Sequence, residues 1–416
     1  MNLRRLAAVG LLALGLRVGF VVTHSRGDRE LVADALQYHA YAVHMVQDGR
    51  YVDEKGDRLF RMPGYPVFLA AVYWVFGPSV AAVQLVQALL SALACLCLYG
   101  AARRLYGEGW GLACGLAAAV YRGLVASCTY LLTESLVSSL LCLFLWLWYC
   151  GTGWSRSVQS LALAAALAAV CIIRPDLGPF ILAAGFSLPW FESRFSRRHA
   201  LLWIPVFLAL FAPWVVRNYL VFCEVVVSGT QGQAAPYYGL AFPLESLGDA
   251  PPPPLLPGGM PELEQKAYYS RSFAALWAAT PPWRILRAYA FNVASMFYPF
   301  LPAYDWSYML LAPFWLWALR RWRAMPESRI LWLLFFLYTA VHVFAGGPVS
   351  RYRETLSAPL LLLAAAGARD LRERLGPRFW GWAGGYAALN LAVWLFAEQT
   401  RGIVLWLKAL LLVRSA

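Results

Sequence analysis

The chain has 416 residues, of which 61% are hydrophobic and 14% are charged, and its formal net charge is +13. Soluble proteins carry about 25% charged residues, whereas runs of about 20 apolar residues recur here, so the composition excludes a soluble class and predicts a polytopic helical membrane protein. The positive charge does not indicate nucleic-acid binding, because the basic residues are scattered between the apolar runs, as they are in cytoplasmic loops.

Eleven apolar runs are candidate transmembrane helices. In chain order they are Leu6–Thr23, Ser79–Ala101, Gly109–Val125, Thr129–Tyr149, Val158–Ile173, Leu177–Trp190, Ala200–Tyr219, Tyr304–Leu319, Ile330–Ala345, Thr355–Ala368 and Phe379–Ala397. A further stretch, Ile403–Val413, is too short to be assigned as a span. The predicted fold class is therefore all-α, with about 11–12 transmembrane helices.

The distribution of basic residues orients these helices, because cytoplasmic loops collect Lys and Arg. Arg4 and Arg5 place the N-terminus in the cytoplasm. The later basic segments fall on the same side if Trp283–Phe300 is an interfacial helix on the outer side rather than a span. These segments are Arg103–Arg104, Arg156, Arg194–Arg198, Arg320–Arg323 and Arg369–Arg378.

Two segments between predicted spans are too long to be simple connections, and both fall on the outer side. The first covers about residues 24–78 and the second about residues 220–303. The second contains the proline-rich segment Asp249–Pro254, which cannot be helical. We expect interfacial helices in both loops. No internal repeat is found, which argues mildly against transporters built from duplicated halves.

The first outer loop carries an acidic residue at the start of a predicted surface helix, Val32–Val46. Asp34, Tyr38 and Tyr41 fall at positions i, i+4 and i+7, so they share one face of this helix, which we expect to point into a cavity. An alternative is that Asp34 only stabilises the positive N-terminus of the helix.

Arginines occur at four outward turns, against the usual distribution of basic residues. For a single arginine, extension of the side chain to the membrane interface is the better explanation. For all four turns beside an acidic helix, a shared anionic ligand such as a lipid phosphate is the better one. The arginines are Arg61, Arg174, Arg217 and the pair Arg351 and Arg353.

Glu134 lies about one turn inside the outer end of its predicted span. A carboxylate in hydrocarbon is costly unless it is paired. Its expected partner is Arg122 or Arg174, and equally it could hold a substrate hydroxyl or tune Asp34.

With these features in place, roughly residues 1–370 resemble the C-type (GT-C) superfamily of membrane glycosyltransferases. The nearest branch is the bacterial Rgt-like group, which is related to protein O-mannosyltransferases and aminoarabinose transferases. Each motif is weak alone, but their order, spacing and sidedness together are fairly specific. The motifs are Asp34 with Tyr38, Arg61–Pro66, Phe76-Gly77 before Gln84 and Gln87, Arg103–Gly107, Thr133-Glu134, Arg174-Pro175, Pro213-Trp214, Arg217-Asn218 and Arg351-Tyr352.

The resemblance implies that a sugar moves from a polyprenyl-phosphate donor to a hydroxyl acceptor (lipid A, a glycan or a protein) on the periplasmic face of a bacterial inner membrane. Asp34 matches the first-loop Asp of the family, which is the catalytic base. The expected substrate-binding residues are Tyr38, Tyr41, Arg61, Tyr65, Glu134, Arg174, Arg217, Arg351, Tyr352 and Arg353. Direct displacement with one base predicts inversion at the anomeric carbon.

The resemblance also suggests a division of the chain. Residues 1–370 would form the catalytic transmembrane module, and residues 371–416 a C-terminal transmembrane helix with a short hydrophobic helix.

The chain departs from parts of the family. Many relatives carry a second acid directly after the catalytic Asp, whereas Ala35 follows here, which weighs against a protein O-mannosyltransferase. Some relatives hold a metal near the site. Asp53, Glu54, Asp57 and His342 could ligate a divalent metal, but their spacing specifies no ligand set, so no cofactor is assigned.

Two other functions stay open at this point. A secondary transporter or lipid flippase would explain the hydropathy and the buried Glu134, but not the two long outer loops. An O-antigen ligase or polymerase would also use outward arginines, although the main catalytic loop of such enzymes lies late in the chain. The substitution Asp34→Asn separates this second alternative from a mechanism in which Asp34 is the base.

Overall fold

The computed structural model describes residues 3–178, 183, 185, 195–253, 260–300, 303–346, 350–399 and 402. These residues form helices and connecting segments without a strand, which confirms the predicted all-α class. The first ten helices are α1 (Leu3–His24), α2 (Asp34–Gln47), α3 (Gly64–Phe76), α4 (Val80–Tyr106), α5 (Glu108–Val120), α6 (Arg122–Ala126), α7 (Thr133–Cys150), α8 (Arg156–Ile173), α9 (Arg197–Leu201) and α10 (Trp203–Phe222). The later helices are α11 (Gln231–Ser246), α12 (Glu262–Ala279), α13 (Pro282–Phe297), α14 (Trp306–Arg320), α15 (Arg329–Ala345), α16 (Ser357–Leu375) and α17 (Arg378–Leu395).

The described helices include several that are long and apolar enough to cross a membrane, as the sequence predicts. Six segments meet both conditions, and the bent pair α5–α6 adds a seventh if it counts as one span. The six are Leu3–His24, Val80–Tyr106, Thr133–Gly153, Arg156–Ile173, Arg197–Phe222 and Pro326–Ala345.

Other predicted spans do not meet these conditions or cannot be assessed. Helices α14, α16 and α17 occupy three of them, but they are shorter or less apolar. The predicted span Leu177–Trp190 lies mostly outside the described residues, and Ile403–Val413 lies wholly outside them. The total of 11–12 crossings therefore stays a prediction.

The helical core is built around α4, which packs against α1, α5 and α7, while α14 packs along α16. Small residues let these helices approach closely. A Cβ atom on Gly367 of α16 would lie 1.9 Å from the carbonyl oxygen of Phe314 in α14. Any side chain at this position would therefore push the two helices apart.

A bend of 51° separates α5 from the segment that begins with α6. In a continuous helix the amide of Arg122 would donate to the carbonyl of Ala118, but here it donates to Ser307 Oγ at 2.9 Å. Arg17, which is fully buried in α1, donates instead to the carbonyl oxygens of Ala118 at 3.2 Å and Ala119 at 3.1 Å. The guanidinium thus stabilises the break in the neighbouring span.

The two predicted outer loops contact each other through main-chain groups. The amide of Thr230 donates to the carbonyl of Leu59 at 3.0 Å. The carboxylate of Glu262, the first residue of α12, accepts hydrogen bonds from the amides of Arg58 at 2.9 Å and Leu59 at 2.6 Å. These bonds fix the position of the segment that carries Arg61.

Candidate active site

A cavity of about 340 Å³ lies where the two outer loops meet the ends of α7, α8 and α15. Seven of the residues predicted as catalytic or substrate-binding line it together. They are Asp34, Tyr38, Arg61, Glu134, Arg174, Arg351 and Tyr352. The long-range grouping of acidic, basic and aromatic side chains in one cavity makes it the candidate active site.

Asp34, the first residue of α2, has both carboxylate oxygens bound by arginines. Its Oδ1 accepts a hydrogen bond from Arg61 at 2.6 Å and its Oδ2 one from Arg351 at 2.8 Å. Burial alone would raise the pKa of Asp34, but the two guanidinium groups outweigh burial and lower it. Asp34 is therefore an anion at neutral pH, and its role extends beyond the start of its own helix.

Arg61 is held rigidly by fixed partners. Its side chain is 3% exposed, and its nitrogens donate to Gln37, Gln231 and Asp34. The guanidinium also lies 4.8 Å from the centre of the Tyr38 ring, a cation–π distance. Since every nitrogen of Arg61 has a partner, this residue positions one side of the Asp34 carboxylate.

Tyr65 lies beneath Tyr38 rather than in the cavity. The two rings meet edge to face, 4.9 Å between centres, and the Tyr65 hydroxyl donates to Gln87 Oε1 at 2.9 Å. Burial raises the pKa of both tyrosines, so both stay protonated. Tyr65 therefore supports the wall of the cavity that Tyr38 forms.

On the opposite wall, Arg174 forms a network with acidic groups and a histidine. Its Nη2 lies 2.8 Å from Asp176 Oδ2 and 2.9 Å from His342 Nε2, and its Nη1 lies 3.6 Å from Glu134 Oε1. The Nδ1 of His342 lies 3.1 Å from the carbonyl oxygen of Tyr338, and its Nε2 lies within hydrogen-bonding distance of both Arg174 and, at 3.0 Å, Asp176 Oδ2. Among the described residues, Glu134 therefore pairs with Arg174, one of its two expected partners, and also with Arg351.

Arg351 is the least constrained arginine of the cavity. Its side chain is 40% exposed and, within the part of the chain that the structure describes, makes one hydrogen bond, to Asp34. Its Nε lies 3.7 Å from Glu134 Oε1 and makes no hydrogen bond in the described part of the chain. The guanidinium lies 5.7 Å from the ring centre of Tyr352, which also lines the cavity.

The structure places Tyr41 outside the cavity, contrary to the predicted shared face. Its ring stacks on Tyr51 with 4.3 Å between centres. The helical spacing is as predicted, but the cavity extends only as far as Tyr38, and the chain around Tyr51 covers the next turn of α2.

Two predicted phosphate-binding arginines also lie outside the cavity. Arg217 donates to the carbonyl oxygens of Arg58 at 2.8 Å and Tyr51 at 3.1 Å, so it braces the first outer loop. Arg353 is buried and pairs with Asp305 at 2.7 Å. In both cases the guanidinium binds acceptors of the protein itself, which the sequence pattern does not reveal.

Three contributors to the site were not predicted. Gln37 follows Asp34 by three residues and could have been placed near it from helical spacing. Asp176 follows Arg174 and could have been read as its partner. Gln231 lies 170 residues from Arg61, and no local signal connects the two.

The residues proposed as possible metal ligands do not come together. Asp53 accepts the amides of Lys55 and Asp57 and so closes its own turn. His342 instead contacts Arg174 and Asp176 on the cavity wall. Among the described residues, no group of three or more His, Cys, Asp or Glu side chains could hold a metal, so no step is assigned to one.

Comparison with known proteins gives one family and several related folds. Residues 61–216 match the family described as dolichyl-phosphate-mannose-protein mannosyltransferase. A search among curated proteins finds no match.

The fold is similar to that of ArnT from Cupriavidus metallidurans bound to undecaprenyl phosphate, at 16% identity and a TM-score of 0.56, over 95% of this chain and 63% of that one. It is also similar to the archaeal oligosaccharyltransferase AglB from Archaeoglobus fulgidus in complex with an inhibitory peptide and a dolichol-phosphate. That match has 14% identity and a TM-score of 0.52, over 94% of this chain and 54% of that one. The chain thus spans less than two thirds of the length of either protein.

Proposed function

We propose that the chain is a membrane glycosyltransferase of the GT-C superfamily with a polyprenyl-phosphate sugar donor. Its fold is similar to those of ArnT and AglB, and residues 61–216 match a mannosyltransferase family, in line with the resemblance found in the sequence. The observation that carries this proposal is the cavity in which one carboxylate, Asp34, lies among three arginines, Arg61, Arg174 and Arg351. Such a site matches a reaction that needs a base and releases a phosphate. The lipid phosphates named for ArnT and AglB support the same donor class.

The proposed reaction is a single displacement at the anomeric carbon. The acceptor oxygen attacks the carbon, Asp34 takes the hydroxyl proton, and the bond to the phosphate oxygen breaks with both electrons leaving on the phosphate. Arg351, and Arg174 behind it, stabilise that negative charge. Since only one group attacks, the product has the inverted configuration.

We place the reaction on the outer face of the membrane, which is the periplasmic face of the inner membrane in bacteria. Helices α7, α8 and α15 bring Glu134, Arg174 and His342 to the cavity at one end. At their other ends lie exposed basic residues such as Arg156 and Arg329. Because cytoplasmic loops collect such residues, this distribution supports the orientation. The acceptor is lipid A, another glycan or a protein.

The test is sugar transfer by the purified protein in detergent. The sugar is first identified by mass spectrometry of glycolipids from cells with and without the chain, and its undecaprenyl-phosphate derivative is then the donor. We expect transfer with inversion, and a loss of turnover of about 10²–10⁴-fold in Asp34→Asn. Asp48→Asn is the matched control, since Asp48 is an exposed residue at the other end of α2.

The possible results distinguish the competing functions. In detergent there is no sealed compartment, so an enzyme can act there but a transporter cannot be detected. If the purified protein transfers no sugar under these conditions, the result would support a transporter. Full turnover in Asp34→Asn would remove Asp34 as the base and leave an O-antigen ligase or polymerase mechanism.

A further inference from the structure

The structure shows the proposed base in a state in which it is blocked. Asp34 Oδ1 is bound by Arg61 and Oδ2 by Arg351, at 2.6 Å and 2.8 Å. A carboxylate held between two guanidinium groups attracts a proton weakly, and an acceptor hydroxyl needs a free oxygen to donate to. One of the two arginines must leave Asp34 before the proposed reaction can proceed.

The two arginines differ sharply in how easily they can leave. Arg61 is 3% exposed and is tied to Gln37 and Gln231 in addition to Asp34. Arg351 is 40% exposed, and Asp34 is its one hydrogen-bond partner in the described residues. Its buried Nε makes no hydrogen bond to any described residue and lies 3.7 Å from Glu134 Oε1. Moving Arg351 therefore breaks one hydrogen bond and one longer ion pair, whereas moving Arg61 breaks several hydrogen bonds.

A phosphate in the cavity would compete with Asp34 for Arg351. A guanidinium binds a phosphate through two parallel hydrogen bonds, and Arg351 has an unused Nε as well as its terminal nitrogens. Its neighbour Arg174 keeps its own partners, Asp176 and His342. The site thus contains one arginine that can change partners and two that are held in place.

We propose that the phosphate of the lipid-linked donor takes Arg351 from Asp34 and so switches on the base. The freed Oδ2 then accepts the hydrogen bond of the acceptor hydroxyl, while Arg351 is already in position to stabilise the departing phosphate. This inference rests on the proposed function and adds an order to it: the donor binds before the acceptor can be activated. When the lipid phosphate leaves, Arg351 returns to Asp34 and blocks it again.

Binding of undecaprenyl phosphate, without any sugar transfer, tests the exchange. If Asp34 competes for Arg351, Asp34→Asn binds this probe more tightly than the wild type, by about tenfold. In the Arg351→Gln background the same substitution changes the affinity less than about twofold, because no shared arginine remains. Asp48→Asn should leave the affinity unchanged, and Asp34→Ser replaces Asp34→Asn if that variant does not fold.

Two results would overturn the exchange and leave the glycosyltransferase proposal intact. One is equal affinity in the wild type and Asp34→Asn. The other is a gain in affinity that persists without Arg351, which would indicate simple repulsion between Asp34 and the phosphate. By contrast, absence of any binding of undecaprenyl phosphate to folded wild-type protein would count against the proposed donor itself.

Discussion

Two arginines of this chain, one in the helical core and one in the cavity, show how differently a guanidinium can be used beside a membrane. Arg17 is fully buried and donates to Ser91 Oγ at 2.8 Å, to Cys95 Sγ at 3.2 Å and to three carbonyl oxygens. Arg351 is 40% exposed, and among the residues that the structure describes it donates a hydrogen bond to Asp34 alone. All nitrogens of Arg17 have protein acceptors, whereas the Nε of Arg351 has no hydrogen-bond acceptor in the described ranges.

An arginine at membrane depth therefore does not by itself indicate a ligand. Carbonyl groups released by a bend in a helix can satisfy a guanidinium without any carboxylate, as Ala118 and Ala119 do for Arg17. What distinguishes Arg351 is the combination of exposure to a cavity and an unused nitrogen. The number of fixed acceptors therefore separates arginines that hold the fold from those available to a substrate.

We expect the strongest consequence from a substitution of Arg17 in the helical core, which should lower the stability of the fold. Arg17→Leu leaves the bend between α5 and α6 with unpaired buried carbonyls, and we expect it to lower the free energy of unfolding by at least about 3 kcal/mol. Thermal unfolding in detergent measures this change. Arg351→Gln is the matched comparison and should shift the melting temperature little. Equal melting temperatures for Arg17→Leu and the wild type would break the distinction between the two arginines.

The next effect is on turnover at the cavity arginine. Arg351→Gln should lower the turnover number about 10²–10³-fold, the usual cost of removing one donor to charge that develops in a transition state. The measurement is steady-state transfer at saturating donor and acceptor. A higher donor KM with an unchanged turnover number would instead indicate that Arg351 binds the donor and the transition state equally strongly.

The pH dependence gives a third comparison. Burial would raise the pKa of Asp34, but Arg61 and Arg351 hold it below its usual value. At any pH above that lowered pKa, Asp34 is ionised and can act as the base. Removing one positive charge raises the pKa. The acid limb of kcat/KM for the donor should therefore move to higher pH in Arg351→Gln, and an unmoved limb would show that another group controls it.

A smaller effect is expected at Arg217, which was predicted to bind phosphate and instead braces the first outer loop. Arg217→Ala removes hydrogen bonds to the carbonyls of Arg58 and Tyr51, at a cost of about 1–2 kcal/mol. We expect a lower melting temperature and a modest rise in donor KM with little change in kcat. A loss of kcat as large as that of Arg351→Gln would indicate that Arg217 contacts the substrate after all.

The smallest effect is expected at Tyr41, whose buried hydroxyl has no hydrogen-bond partner of normal geometry in the described residues. Tyr41→Phe should change the free energy of unfolding by less than about 0.5 kcal/mol and leave kcat/KM as in the wild type. Thermal unfolding and transfer rates measure both quantities. A clear loss of transfer would mean that Tyr41 reaches the substrate after a rearrangement of α2.

Hydropathy was sufficient to predict the all-α class, because membrane insertion imposes apolar runs of defined length. The resemblance of the motifs to the GT-C superfamily predicted a fold like those of ArnT and AglB, and the structure is similar to both. Helical spacing also placed Asp34 and Tyr38 on one wall, and Arg61, Arg174 and Arg351 lie around the same cavity. Membrane orientation, the division at residue 370 and the acceptor stay predictions.

Spacing failed where a side chain found a partner far away in the chain. Arg217 and Arg353 were predicted to lie in turns like that of Arg351. Arg217 instead donates to the carbonyl of Arg58, and Arg353 pairs with the carboxylate of Asp305. Arg17 was not predicted to have a role, since two of its acceptors are carbonyls about 100 residues later, at a helix bend that composition does not indicate.

The contact between the two predicted outer loops joins segments about 200 residues apart in the chain. The carboxylate of Glu262, the first residue of α12, accepts hydrogen bonds from the amides of Arg58 and Leu59, and Arg61 lies two residues further along the chain. If α12 contributes to acceptor selection, a displacement of that helix would also move Arg58 and Leu59 and, with them, Arg61 beside Asp34. Selectivity and speed would then be hard to alter independently, and swapping the second loop between relatives would retune both at once.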